Sequence, residues 1–248
     1  MGALTLSGTP PQAWITIDRP ERKHAWATGM WTEMAELVDR CAADDSVRVV
    51  LIASTGDRVF SAGADIEQFH GADEDAIKSS LAGVESVMAS IEACPKPVIA
   101  VVSGAAVGAG MEVAAACDLR LASDSAWFSI PAAALGIVIT RSDIARLGRG
   151  VGGSVARDML LTGRRLTAVQ AETLGFVRSV HPVDQLHNAA GALADEITLL
   201  DGSAQAAMKQ HLNALDRVSW DAESWAPSLD ALMSPATQAR ISARMEGS

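Results

Sequence analysis

Two short segments built from small residues carry the side chains and amides best suited to chemistry. The first is Phe60–Ile66 (Phe-Ser-Ala-Gly-Ala-Asp-Ile), and the second is Val107–Glu112 (Val-Gly-Ala-Gly-Met-Glu). Each reads as a turn that opens a helix, and a turn without bulky side chains lets a ligand approach the backbone amides closely. We therefore expect the amides of Ala64 and Ala109 to bracket a single oxygen atom.

Two such amides would polarise a carbonyl and stabilise an enolate or tetrahedral oxyanion formed from it, by several kcal/mol. The helix that opens near Ala109 adds its positive end. Glu112 lies in the first turn of that helix and is the candidate acid or base. An acid in this place also commonly does no more than complement the helix N-terminus, and Glu112 alone leaves both interpretations open. The presence of the other turn favours catalysis.

The elements that must position these residues repeat a pattern of strand, turn and helix. Apolar, β-branched runs predict strands at Trp14–Asp18, Val47–Ala53, Pro97–Val102 and Leu119–Ala122. Helical spacing predicts helices from Thr28 to Cys41, from Asp73 to Glu92 and from Ala109 to Cys117. The crossovers are long enough for parallel strands, so the first two-thirds of the chain is predicted to be an α/β domain.

The last third is predicted to be almost entirely helical. Beyond Ser142 the helical patterns cover Val151–Leu161, a unit capped by Thr167 and closed by Gly175, Val183–Leu200 and Ser203–Leu215, and a single strand is predicted at Phe176–Val180. No linker separates the two regions. We expect these helices to pack on the α/β core or on a neighbouring subunit.

The bulk properties exclude several classes of partner. A net charge of −10 argues against nucleic acid. No apolar run approaches the length of a membrane span and no signal peptide is visible, so we expect a cytoplasmic protein without a membrane partner. The five histidines lack the spacing of a metal site, and we expect no metal. Buried free thiols are expected at Cys41, Cys94 and Cys117.

Several segments, in this order along the chain, resemble the crotonase (enoyl-CoA hydratase/isomerase) superfamily. They are Asp18–Arg22, Phe60–Ile66, Pro97–Gly104, Gly108–Glu112, Cys117–Ala122 and Leu161–Gly163, and the resemblance runs from about residue 13 to residue 182. It implies an α/β fold, a crotonase-like spiral of repeated β-β-α units with a helical C-terminal region. The expected core covers residues 1–190, and residues 191–248 would pack in oligomer assembly or over the active site.

The resemblance also implies roles for particular residues. The two oxyanion-hole amides fall on Ala64 and Ala109, with Glu112 as acid/base, and the substrate is an acyl-CoA thioester. No cofactor is implied apart from the coenzyme A of the substrate, and the family's assemblies suggest a homotrimer or hexamer. Backbone around the first turn would hold the adenine, here at Ala62, Ala64 and Ile66.

Charged residues near the first turn are open to two interpretations. Arg22 and Lys23 would lie near the phosphates of coenzyme A, or they belong to a solvated loop. Asp65 is interpreted as a helix-start residue that fixes the turn. His70 either reaches the acyl pocket or lies in solvent, and solvent is favoured.

One departure from the family pattern bears on the reaction. Hydratases of this family carry a second catalytic glutamate after the proline of a Phe-x-x-Pro-Glu segment, whereas this chain has Phe128–Ala132, which places Ala132 at that position. Downstream, Arg141 and Asp143 are unusual for the family. Either could face the acyl group, where Arg141 would suit an anionic substrate. The favoured alternative is that Ser142 and Asp143 cap the next helix while Arg141 lies on the surface.

These expectations define a leading function and two alternatives. The leading one is an acyl-CoA enzyme of the hydratase/isomerase type that stabilises a thioester enolate, and a single base suits isomerisation better than hydration. The first alternative is an acyl-CoA-binding protein that has lost the chemistry. The second is a thioester hydrolase or decarboxylase on the same fold.

Overall fold

The computed structural model describes residues 3–215 and 222–246. The strands are β1 (Leu4–Ser7), β2 (Gln12–Ile17), β3 (Val49–Ser54), β4 (Val59–Ser61), β5 (Val98–Val102), β6 (Ala105–Val107), β7 (Leu119–Ser123), β8 (Trp127–Ser129), β9 (Leu166–Thr167) and β10 (Ser179–His181). The helices are α1 (Thr28–Ala43), α2 (Glu74–Ala93), α3 (Ala109–Ala116), α4 (Ala132–Leu135), α5 (Arg141–Val151), α6 (Gly153–Thr162), α7 (Ala168–Thr173), α8 (Leu186–Thr198), α9 (Gly202–Leu215), α10 (Ala222–Met233) and α11 (Pro235–Glu246).

The strands form two sheets that are built from one repeated unit. The larger sheet has the order β1-β2-β3-β5-β7-β10 and is parallel except for β1, while the smaller has the order β4-β6-β8-β9. In each of three successive units, the first strand joins the larger sheet, the second joins the smaller sheet, and a helix follows: β3-β4-α2, β5-β6-α3 and β7-β8-α4. This arrangement confirms the predicted spiral of β-β-α units.

The central strands are apolar throughout because both of their faces are covered. Every residue of β3 and of β5 is buried, as expected for parallel strands enclosed between helices. On one face, Leu51 packs in a cluster with Leu186 and Ala190 of α8. On the other, Val50 joins the large core that includes Met34 of α1. Helix α8 runs through the expected boundary at residue 190 and belongs to this layered core.

The long elements were predicted well and the short ones were missed. Helix α2 begins after Asp73, whose carboxylate accepts a hydrogen bond from the Ala76 amide at 2.8 Å. The predicted strand at Phe176–Val180 is wrong in its first half, because the amides of Phe176 and Val177 both donate to Ala171 O at the end of α7. Strands β4, β6 and β8 each have only three residues and were not separated from the turns that follow them.

The two C-terminal helices lie over the segment that follows the first small-residue turn. Leu232 of α10 and Ile241 of α11 form a buried cluster with Phe69 and with Ile77 of α2. Gln238 ties α11 to this segment, since its amide donates to Phe69 O at 2.8 Å and its oxygen accepts from the Gly71 amide at 3.0 Å. In the described ranges, no helix has the length and apolar character that crossing a bilayer requires.

Candidate active site

Three loops meet at one edge of the smaller sheet. They follow the carboxyl ends of the neighbouring strands β4, β6 and β8, which are parallel to one another. Ligands of α/β proteins commonly bind at this edge of a parallel sheet. The two small-residue turns identified from the sequence are the first and second of these loops, and the segment that ends at Ala132 is the third.

The first loop is fixed by a buried serine and a short backbone bridge. The hydroxyl of Ser61 accepts hydrogen bonds from the Gly63 amide at 3.0 Å and from the Trp26 indole N–H at 2.9 Å, and it donates to His24 O at 2.9 Å. Trp26 also pairs with Ala64 in an isolated parallel bridge, in which the Trp26 amide donates to Gly63 O and the Asp65 amide donates to Trp26 O. The two hydrogen bonds of this bridge therefore use backbone groups of Gly63 and Asp65, the residues on either side of Ala64.

The second loop approaches the first at the distance of backbone contact. A Cβ atom added to Gly63, which has a φ of +92°, would lie 2.7 Å from Val107 O and 3.1 Å from the Ala109 nitrogen. The Gly108 amide donates to Ser129 O at 2.9 Å, which ties this loop to β8. Gly108 has a φ of +53°. Glycine is needed at these positions because any side chain would clash or strain the backbone.

Ala64 and Ala109 line the same cavity, which has a volume of about 150 Å³. Within residues 3–215 and 222–246, neither amide donates a hydrogen bond to a protein acceptor. Ala109 is the first residue of α3, where amide groups have no partner inside the helix. Neither N–H group is therefore committed to a protein acceptor in the described part of the chain.

The cavity is mainly apolar and has few polar groups. Its polar side chains are Ser80, Glu112, Thr140 and Asp143. The apolar wall includes Ile66, Phe69, Leu81, Val84, Ile130, Ala132, Leu135, Ile137, Ile139 and Leu232. Leu232 comes from α10, so the C-terminal region supplies part of the wall.

Glu112 lies one helical turn into α3, and its side chain is almost fully buried at 5% exposure. Burial among apolar groups raises the pKa of Glu112 well above its ordinary value, the nearby carboxylate of Asp143 raises it further, and Arg146 acts in the opposite direction. Its carboxyl group has no hydrogen-bond partner in the part of the chain that the structure describes. A buried carboxyl group of this kind is suited to hold or transfer a proton near neutral pH.

The second buried carboxyl group, Asp143, is held by a polar network that includes one arginine. Its Oδ1 accepts from Arg146 Nη1 at 3.0 Å, and its Oδ2 accepts from Thr140 Oγ1 at 2.5 Å. Arg146 also binds Glu85 at 2.7 Å and Glu92 at 3.0 Å. Burial alone would lower the pKa of Arg146, but its hydrogen bonds to Glu85 and Glu92 raise it, so the guanidinium stays charged.

Burial also raises the pKa of Asp143, although the hydrogen bond from Thr140 and the charge of Arg146 oppose this shift. Glu112 has no comparable stabilising partners. The surroundings of Asp143 therefore favour its charged form more than those of Glu112 do.

The charged residues near the first loop lie differently from their expected roles. Asp65 precedes the 3₁₀ turn Ile66–Phe69 but makes no capping hydrogen bond; its carboxylate instead accepts from Arg19 at 3.0 Å and from Arg22 at 3.1 Å. Arg22 also pairs with Glu67. Asp65 thus fixes the loop through ion pairs. Lys23 is exposed, and its carbonyl accepts a hydrogen bond from the Ala62 amide at 3.0 Å.

Other candidate residues lie outside the cavity. Arg141 is exposed on the first turn of α5 and is absent from the cavity wall, as the surface interpretation expected. The cap of α5 is Thr140, whose hydroxyl accepts from the Asp143 amide at 3.2 Å, so the expected cap by Ser142 and Asp143 is wrong. His70 is exposed and contacts Ser242 Oγ at 3.0 Å. Within the described residues, no three His, Cys, Asp or Glu side chains are arranged to hold a metal ion.

The sequence analysis missed several residues that hold the cavity-lining residues in place without lining the cavity themselves. Arg146 was not identified, although it lies three residues after Asp143 and so on the same face of a helix. Glu85 and Glu92 are seven residues apart, which places both on one face of α2. This spacing of two acids on an otherwise apolar helix face was the available signal. Ser61 could be recognised only from its contacts.

The spiral of β-β-α units and the cavity at its loops define a crotonase-type α/β protein. The family model for enoyl-CoA hydratase/isomerase matches residues 12–246, and the chain belongs to this family. The 2,3-dehydroadipyl-CoA hydratase of Escherichia coli (strain K12) is 32% identical over 222 residues, which is 90% of this chain and 86% of that protein.

Two further comparisons agree. A crystal structure of an enoyl-CoA hydratase from Mycobacterium avium subsp. paratuberculosis K-10 superimposes with a TM-score of 0.88 at 27% identity, covering 98% of each chain. A Bacillus subtilis (strain 168) protein assigned to the enoyl-CoA hydratase/isomerases is 34% identical over 168 residues, which is 68% of this chain. The chain spans only 65% of that relative's length, and 61% of an Arabidopsis thaliana relative's.

Proposed function

We propose that this chain transforms acyl-CoA thioesters through an enolate held by the amides of Ala64 and Ala109, with Glu112 as the acid/base. One observation carries the proposal: among the described residues, a buried carboxyl group without a hydrogen-bond partner lines the same apolar cavity as two residues whose amides have no protein acceptor. The thioester oxygen would accept from both N–H groups, which stabilises negative charge as it develops. The N-terminal end of α3 adds to this field.

The proposed reaction is hydration of an enoyl-CoA or movement of its double bond. Both pass through an enolate of the thioester, a β-hydroxy enolate in hydration and a dienolate in isomerisation, and Glu112 transfers the proton at the α-carbon. The name of the Escherichia coli relative supports hydration. Loop backbone at Ala62 and Ile66, together with the exposed Lys23, would hold the coenzyme A portion, whereas Arg22 is already paired with Asp65 and Glu67. The scheme needs no cofactor besides the coenzyme A of the substrate.

The test is Glu112→Gln, which keeps the shape of the side chain and removes its proton transfer. Turnover of crotonyl-CoA or a 3-enoyl-CoA should fall about 10²- to 10⁴-fold, while calorimetry should show acyl-CoA affinity within about threefold of wild type because the amides remain. Glu36→Gln is the matched control, because Glu36 is exposed on α1. Unchanged turnover in Glu112→Gln would exclude the role of Glu112.

The same assays separate the two alternatives. Tight acyl-CoA binding without turnover of any thioester by the wild-type protein would indicate an acyl-CoA-binding protein. Release of free coenzyme A thiol would indicate a thioester hydrolase, and loss of CO₂ from a malonyl-type thioester would indicate a decarboxylase. Retention of Glu112 in the cavity favours the hydratase/isomerase reaction over the binding protein.

We also propose that the chain assembles as a homotrimer or hexamer. Support comes from large apolar side chains that are strongly exposed in the single chain, including Leu161 at 80% and Leu199 at 86%. Apolar exposure on this scale commonly marks a protein–protein contact. A cytoplasmic location stays a prediction from the sequence.

A further inference from the structure

The active-site cavity contains a second carboxylate that the proposed function does not use. Asp143 and Glu112 both line the cavity, but they come from different helices, α5 and α3. The side chain of Asp143 is only 3% exposed. Ala132, the position at which the family resemblance expects a second glutamate, contributes only a methyl group to the same wall.

Two groups around Asp143 align its carboxyl group and oppose the effect of burial on its charge. Arg146 binds one carboxylate oxygen at 3.0 Å and the Thr140 hydroxyl binds the other at 2.5 Å. The guanidinium of Arg146 is itself fixed by Glu85 and Glu92 of α2. The charged groups that face the pair are therefore Arg146 and Glu85, with Glu92 behind them. Each oxygen of Asp143 has one protein partner and retains a lone pair for a further hydrogen bond.

We infer that Asp143 is a second catalytic carboxylate, paired with Glu112, and that it makes the reaction a hydration. The inference rests on the proposed function and extends it. A single carboxylate suits isomerisation, whereas two carboxylates of opposite protonation state can take one proton from water and supply another to carbon. The second acid is then provided by α5 in place of the loop after β8.

The atoms balance in one turnover. The Asp143 carboxylate removes a proton from water as the water oxygen bonds to the β-carbon of the enoyl thioester. The electron pair of the carbon–carbon double bond moves through the enolate held by Ala64 and Ala109. The carboxylic acid of Glu112 then gives its proton to the α-carbon. Product release leaves Asp143 protonated and Glu112 ionised, and transfer of that proton from Asp143 to Glu112 through water restores the starting state.

A purely structural role for Asp143 as the partner of Arg146 predicts a different pattern of defects. Glu92 provides the comparison, because both of its oxygens bind Arg146, at 3.0 and 3.1 Å, yet it does not line the cavity. If Asp143 only neutralises Arg146, removing the charge of either acid should affect the enzyme in the same way. If Asp143 activates water, only its own removal should abolish hydration.

The experiment compares Asp143→Asn with Glu92→Gln in two assays. The first is hydration of crotonyl-CoA, and the second is exchange of the α-protons of butyryl-CoA in D₂O, which needs Glu112 and the two amides but no attacking water. Asp143→Asn should lower hydration at least about 100-fold and keep exchange within about threefold. Glu92→Gln should change both rates by one common factor, because Glu92 holds Arg146 but does not line the cavity. Unfolding temperatures are recorded for each variant.

Each possible result either supports or overturns the assignment of Asp143. Loss of hydration in Asp143→Asn with exchange retained supports the inference, whereas unchanged hydration, or equal loss of both rates in the two variants, overturns it. If Asp143→Asn does not fold, Asp143→Glu, which keeps the charge for Arg146 and displaces it by one methylene group, should show the same selective loss of hydration. Failure of the proposed function looks different, because the wild-type protein would then neither exchange nor hydrate any thioester.

Discussion

At the scale of single residues, the cavity buries the carboxyl group of Glu112, and burial of its ionised form is costly in free energy. Glu112 has no hydrogen-bond partner in the described residues and is 5% exposed, so its ionised form is disfavoured. Asp143 is equally buried but has Arg146 and Thr140 as partners. The two acids of one cavity therefore lie in different electrostatic surroundings, which is the usual basis for separate acid and base roles.

This difference predicts a pH-dependent stability effect at Glu112. Its pKa in the folded protein lies well above the ordinary value of 4.5, so the folded state retains a proton that the unfolded state has released. The stability that this proton contributes is present at low pH and is lost as pH rises through the folded pKa. Glu112→Gln cannot ionise and should melt above wild type at neutral pH, by about 2–4 °C for each kcal/mol recovered.

The measurement is the unfolding temperature of both proteins over a pH series. The advantage of Glu112→Gln should shrink as pH falls towards 4.5 and vanish below it, because the side chain of the unfolded wild-type protein then takes up the proton as well. Glu36→Gln, exposed on α1, should show no such trend. A difference between wild type and Glu112→Gln that is constant with pH would contradict the assigned burial effect.

At the scale of elements, the sequence predicts the site where local chemistry sets the backbone and fails where distant contacts set it. Helix α3 and the glycine turn before it follow directly from residues 107–112. The position of Asp143 does not, because its entry into the cavity depends on Thr140 capping α5 and on Arg146 reaching acids of α2, more than fifty residues away. Asp65 does stand at the start of the 3₁₀ turn, as predicted, but the sequence did not reveal its arginine partners, because they belong to an earlier segment.

The close approach of the first loop, at Gly63, to the second loop, at Val107 and Ala109, gives a prediction about these elements. In Gly63→Ala the new methyl group would meet Val107 O at 2.7 Å and the Ala109 nitrogen at 3.1 Å, at a φ of +92°. The loops must separate, so we expect a loss of about 1–3 kcal/mol in stability and a fall of at least about tenfold in kcat, because misplacing the amides weakens stabilisation of the oxyanion.

Gly56→Ala is the matched control for this substitution. Gly56 has a φ of +74°, yet nothing lies within 4 Å of an added Cβ atom. It should therefore lose about 1 kcal/mol from backbone strain alone and retain full kcat. Equal activity in the two variants, measured with the same thioester, would show that the approach of the two loops does not matter for turnover.

At the scale of the whole molecule, the net charge bears on ligand binding, whereas the exposed apolar surface bears on assembly. The net charge of −10 leaves no general attraction for phosphates, so under the proposed function local groups such as Lys23 would supply the attraction for coenzyme A. The apolar surface is concentrated on helices outside the cavity. Met208 and Leu212 are one turn apart on α9 and are 58% and 62% exposed, and Leu199 and Leu200 precede that helix. Met208 and Leu212 therefore define a candidate contact face on α9.

We predict that this face is buried between subunits. Light scattering coupled to gel filtration should give a mass about three or six times that of the 25.8 kDa chain, because so much exposed apolar area is rarely left to solvent in a monomer. The double variant Met208→Lys/Leu212→Lys should lower that mass, since burying two ammonium groups without partners opposes association. Leu6→Lys, at a site on β1 that is only 38% exposed, should leave the mass unchanged. A monomeric wild-type protein at micromolar concentration, or an unchanged mass in the double variant, would show that α9 is not an assembly surface.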